Sequence, residues 1–156
     1  MEREVCYFLP EDFQALNSKI AAMTERIRDI GQEMGLSCQE GAETFHDNFA
    51  YEDGERQQAM WSRRLRELLD LRRRARLSSP PDGRRHRVGI GCMVTVRDDG
   101  GVVHRVGIGS YMVFNGSDTI SYRSPLGNLL LGAQVGEVRE GKLGRERKVF
   151  EVLAIE

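Results

Sequence analysis

The chain has 156 residues, room for one ordinary domain or two small ones, with 40% apolar and 30% charged side chains and a net charge of −1. This balance describes a soluble, folded protein and excludes a disordered or membrane one. No apolar run, that around Leu129 to Leu131 included, is long enough for a bilayer, and the Met1–Glu4 start lacks the apolar stretch of a secretion signal, so the expected location is the cytoplasm. Cys6, Cys38 and Cys92 stand apart, as do His46, His86 and His104, which argues against a disulfide framework and against a metal site built by this chain alone.

In chain order, the first element is the clearest. Phe13, Leu16, Ile20, Met23, Ile27, Ile30 and Met34 recur in alternating steps of 3 and 4, the seam of a coiled coil. Pro10, with Glu11 and Asp12, suits the start of this helix, and Gly35 is its expected end. A polar connection follows. From Glu40 to Glu55 the charges are all acidic: Glu40, Glu43, Asp47, Glu52, Asp53 and Glu55.

A second helix is expected from Asn48 to Leu77, with Tyr51, Trp61, Leu65, Leu68 and Leu69 as its apolar stripe and Gly54 and Gln58 at seam positions near the start. Two long helices joined briefly fold back antiparallel, so residues 1–78 read as a helical hairpin with an acidic tip near 36–47. Its turn side is the looser half. Arg63, Arg64, Arg72, Arg73 and Arg76 lie towards its base, either as solvated faces paired with Glu67 and Asp70 or as a basic patch for phosphates or an acidic surface.

Residues 79–83, with Pro80, Pro81 and Gly83, form a linker, and beyond it the period becomes two. Val88, Ile90, Cys92, Val94 and Val96 alternate, a turn at Asp98–Gly101 leads into Val102–Ile108, and further strands are expected at Tyr111–Phe114, Thr119–Tyr122 and Lys148–Ile155. A short helix fits Gly127 to Leu131. The fold class is α+β, a coiled-coil hairpin followed by an antiparallel β domain over 84–156. Arg-Val-Gly-Ile-Gly occurs at 87–91 and again at 105–109. Neither copy leads from a strand into a helix, so these read as strand glycines rather than a phosphate loop.

Three signatures carry a resemblance that covers nearly the whole chain. Asp47-Asn48-Phe49-Ala50-Tyr51 with Gln57-Gln58 and Arg64-Leu65, the run Ile120 to Gly132 containing Ser124-Pro125-Leu126-Gly127 and Leu129-Leu130-Leu131-Gly132, and the closing Gly136-Glu137 and Phe150–Ile155 together resemble the Gre transcript-cleavage factors. The resemblance implies an FKBP-like C-terminal domain that docks on the rim of the secondary channel of bacterial RNA polymerase through Tyr122, Arg123, Ser124, Pro125, Leu126 and Gly127. It implies a hairpin tip that brings carboxylates to the polymerase's own catalytic Mg²⁺, so that the polymerase cuts its backtracked RNA and the factor is not itself an enzyme.

Carboxylates suit that role because Mg²⁺ is a hard ion often held by one or two of them plus water and phosphate oxygens, and paired metals stabilise an in-line displacement. The residues carried over are Asp47, one methylene shorter than the family's usual Glu, and Thr44 at the first acid position, with Glu43 beside it. Thr44 is neutral, which points to the alternative of a relative that docks in the channel and inhibits without cleaving. An FKBP-type isomerase is disfavoured because the sole tryptophan, Trp61, lies on the hairpin. The second helix satisfies the seam within one chain, so a monomer is expected.

Overall fold

The computed structural model describes residues 4–40, 49–79 and 85–156. They divide into two compact units: residues Ala15–Arg74, and a second unit in which Met1–Gln14 joins Ala75–Glu156.

The helical unit is formed by α1 (Pro10–Glu40) and α2 (Phe49–Arg74). Proline opens α1, as expected, but the helix runs past Gly35 to Glu40. Gly35 keeps a helical backbone rather than the left-handed conformation of a helix-ending glycine, so the ladder continues through it. A Cβ placed on Gly54 would lie 2.5 Å from Met34 Cγ, and one on Gly31 would lie 3.5 Å from Gln58 Nε2. Position 34 thus faces 54 and position 31 faces 58, so the two helices pack side by side and run antiparallel. Leu16, Ile20, Met23 and Ile30 are buried on α1, and Leu68 and Leu71 on α2. The stripe of α2 continues to Leu71 rather than Leu69, which is on the exposed side.

The second unit holds a five-stranded sheet of order β5-β4-β3-β7-β6, with β3 (Met93–Asp98), β4 (Val103–Gly109), β5 (Thr119–Ser121), β6 (Val138–Leu143) and β7 (Glu146–Ile155). All its pairs are antiparallel except β4–β5, which is parallel. The helix α3 (Pro125–Leu130) completes the unit. Val94, Val96 and Val152 on the central strands are wholly buried, with Ile108, Leu130 and Phe150 in the same core. The glycines of the second Arg-Val-Gly-Ile-Gly copy are in β4, where a Cβ on Gly107 or Gly109 would strike Thr119 of β5 at 2.8 and 2.6 Å. Close approach of the parallel partner requires them. The first copy precedes β3 in a turn, with Gly91 at φ 92°.

Two expectations are corrected here. Residues 1–78 are not all hairpin: β1 (Cys6–Phe8) pairs in parallel with β2 (Ala75–Leu77), so both ends of the helical segment belong to the β-containing unit. Three polar links fix β1 there. Tyr111 N donates to Tyr7 O (2.9 Å), Tyr7 N to Tyr122 Oη (3.2 Å) and Leu9 N to Ser110 Oγ (2.8 Å). Residues Tyr111–Phe114 are not a strand, because their backbone groups are engaged elsewhere: the Tyr111 amide by Tyr7, its carbonyl by Ser121 Oγ (2.8 Å) and the Phe114 amide by Asp12 Oδ1 (3.2 Å).

Candidate functional site

The segment Tyr122–Gly127 connects β5 to α3, and each residue in it has a defined job. Ser124 takes an extended backbone (φ −62°, ψ 156°) and its side chain accepts the Gly127 amide at 3.1 Å, an N-cap that satisfies one of the free amides of the helix start. Pro125 follows at the first helical position, where its missing N–H is no loss. Gly127 is buried, and a Cβ there would stand 2.2 Å from the Ser121 carbonyl oxygen and 3.0 Å from both Ser124 Oγ and Tyr122 Cα. Only glycine fits.

Locked in this way, the loop leaves Pro125 exposed and turns Leu126 towards the core. Tyr122 is buried, edge-on to the rings of Tyr7 (6.3 Å) and Tyr111 (6.5 Å). Burial pushes its phenol above the ordinary tyrosine range, against the opposing hydrogen bond from the Tyr7 amide. Arg123 extends outward and pairs with both carboxylate oxygens of Glu4, at 2.5 and 3.1 Å.

Beside the loop lies a feature that sequence reading missed. A cavity of ≈ 530 Å³ is floored by Val96, Val106, Ile120, Leu126, Leu143 and Phe150, with Asp98, His104, Arg105, Asp118, Glu146 and Lys148 around it. Its charges are mixed in sign. The His104 ring bonds to Asp98 Oδ2 (2.8 Å) and the Val102 amide donates to Asp98 Oδ1 (2.8 Å); these hold the Asp98 carboxyl below the usual carboxylate range, the histidine contributing most. A second missed feature is polar and buried. Ser110 Oγ donates to Asp12 Oδ2 (2.5 Å), and with the Phe114 amide on Oδ1 it gives the Asp12 carboxylate two partners.

The tip residues Glu43, Thr44 and Asp47 lie outside the described residues; they belong to the segment 41–48 between α1 and α2. The arginines do not form a single patch. Arg76 is in β2, not on the helix. At 3.6 residues per turn, Arg63, Arg64, Arg72 and Arg73 fall at about 0°, 100°, 180° and 280° around α2, spread over its whole circumference. Three of the four have carboxylate partners within one turn: Arg64 with Glu67 (2.9 Å), Arg73 with Asp70 (2.9 Å) and, loosely, Arg63 with Glu67 (3.8 Å). That arrangement is a solvated, ion-paired helix surface. Among the described residues no cluster of three His, Cys, Asp or Glu residues is placed to hold a metal ion, and no helix is long and apolar enough to cross a membrane.

An antiparallel helical hairpin and a curled mixed sheet with a capped Ser-Pro loop define a two-unit factor with a hairpin arm, and the comparisons with known proteins agree. Residues 83–156 match the family model described as transcription elongation factor, GreA/GreB, C-term. The transcription elongation factor GreA of Thermomicrobium roseum is 30% identical over 141 residues, spanning 88% of each chain. GreA of a Roseiflexus species is 39% identical over 84 residues, 53% of this chain and 54% of that one. Among solved structures, Gfh1 of Thermus aquaticus is 26% identical with 99% of each chain covered, at a TM-score of 0.42. The chain belongs to the GreA/GreB family of transcription elongation factors.

Proposed function

We propose that this chain binds the rim of the secondary channel of bacterial RNA polymerase through Tyr122–Gly127 and the adjoining cavity, and stimulates cleavage of backtracked RNA through the residues between its two helices. The observation that carries the docking half is the built loop. Ser124 and Gly127 fix the backbone so that Pro125 stands exposed beside an apolar hollow floored partly by Leu126. A rigid apolar knob next to a ≈ 530 Å³ hollow rimmed by both charge signs suits a protein surface, which combines buried apolar anchors with a polar margin.

The cleavage half rests on Asp47 and Glu43. A carboxylate lent to a polymerase-held Mg²⁺ orients an attacking water and neutralises charge as the phosphodiester breaks. In this reading the catalytic centre and its Mg²⁺ belong to the polymerase, and the chain is an accessory factor. Thr44 favours a second reading, in which the chain occupies the channel and inhibits without cleaving, because a neutral hydroxyl is a poor Mg²⁺ ligand.

Co-purification with the polymerase tests the docking half. Pro125→Asp alters an exposed residue, so the fold is kept while binding weakens at least tenfold. Unchanged binding by that variant would remove the loop from the interface.

A further inference from the structure

The turn side of the hairpin departs from the base side in four independent ways. All three glycines of the two helices are there: Gly31 and Gly35 on α1 and Gly54 on α2, each less favourable than alanine at such a position. Across the seam, Gly31 meets Gln58 and Gly54 meets Met34, so an aliphatic pair is absent at two successive layers. Clefts of ≈ 340 and ≈ 210 Å³ open beside Met34 where those layers are thin. Ile30 is the last wholly buried apolar side chain of α1; beyond it Leu36 is 60% and, on α2, Phe49 is 70% exposed, whereas Leu16, Ile20, Met23, Leu68 and Leu71 are buried at the base.

Helical stability in proteins comes mainly from packing an apolar face, and cooperative units end where that packing ends. We propose that the turn-side part of the hairpin, Ile30–Glu40 with Phe49–Gln58, is a hinged segment that opens as one unit while the base half stays paired. Its use in the polymerase channel rests on the reading given above; the opening itself is a property of the free chain and is measured there.

The test is hydrogen exchange of the full chain, alone and as Gly31→Ala/Gly35→Ala. Neither substitution changes charge, a Cβ at 35 meets nothing within 4 Å, and one at 31 makes ordinary contact with Gln58. In the unaltered chain, amides of 30–36 and 53–58 exchange at least tenfold faster than those of 16–23 and 65–71. The double variant slows the turn-side amides by about fivefold per substitution, the helix-propensity difference between glycine and alanine. This includes 53–58 on α2, which carries neither substitution, while the base changes less than twofold. Uniform exchange along the unaltered hairpin, equal slowing of both halves, or slowing confined to α1 would each overturn the proposal, the last by reducing it to fraying of one helix end.

Discussion

Replacing Gly127 with alanine strikes the place where the Ser-Pro loop is most tightly determined. The added methyl carbon would sit 2.2 Å from the Ser121 carbonyl oxygen, a backbone atom, roughly 1 Å inside ordinary contact. Relief requires the start of α3 to back away from the end of β5. That movement strains the Ser124 cap (Gly127 N to Oγ, 3.1 Å) and the Ser124 N to Ser121 O bond (2.9 Å) in the same turn. Overpacking of a tight site costs about 1–3 kcal/mol and a lost cap about 1 kcal/mol, so the variant loses about 2–4 kcal/mol. For a unit of this size the midpoint falls by roughly 10–20 °C. Thermal and urea unfolding followed by near-ultraviolet circular dichroism, which reports the Tyr7–Tyr111–Tyr122 cluster, measures it. A loss below about 0.5 kcal/mol would mean that the loop accommodates the methyl group without moving.

Ser124→Ala removes the cap alone and costs about 1 kcal/mol, whereas Ser124→Asp, which also caps, recovers most of it; urea denaturation separates the two. Asp12→Ala removes the carboxylate that accepts from the Ser110 hydroxyl and the Phe114 amide, for a loss of about 2 kcal/mol in the same assay. Tyr122 resists ionisation when folded, so its contribution is full below the ordinary phenol pKa of about 10 and fades as pH rises beyond it. An absorbance titration should show one late tyrosinate that is missing in Tyr122→Phe. Asp98 and Glu137 have folded values below their ordinary ones, Glu137 chiefly through the Gln134 amide and then Arg139. Their contribution is present above about pH 4 and is lost as pH falls, so Asp98→Asn and Glu137→Gln flatten the acid limb of the stability curve.

The long helices were legible because a 3.5-residue repeat persists over Phe13–Met34, and the loose turn side was legible because Gly54 and Gln58 interrupt the partner stripe. Strands β1 and β2 were not, since three residues are too few to show a period and their pairing joins positions some seventy apart. Strand β6 hid for another reason: on this edge strand the less exposed positions are Arg139, Gly141 and Leu143, and apolar Val138 is on the exposed side, so no apolar alternation marks it. The Ser-Pro segment was found from its own residues, but the need for glycine at 127 comes from Ser121, which the parallel β4–β5 pairing brings alongside. The cavity was invisible because its floor is drawn from five strands and α3. The arginines were left open between solvated faces and a patch, because a run in sequence does not show that it is spread around a helix and across two units in space.

In the function proposed above, the chain makes the polymerase shorten its own stalled transcript through the acidic segment between α1 and α2. Backtracked elongation complexes with end-labelled RNA test it directly. Adding this protein should release short 3′ fragments and leave a transcript that extends again, and Asp47→Ala should abolish both effects while still binding. Binding of the unaltered protein with the RNA left at full length would contradict it, and elongation slowed in that same reaction would assign the chain to the inhibitory reading that Thr44 favours.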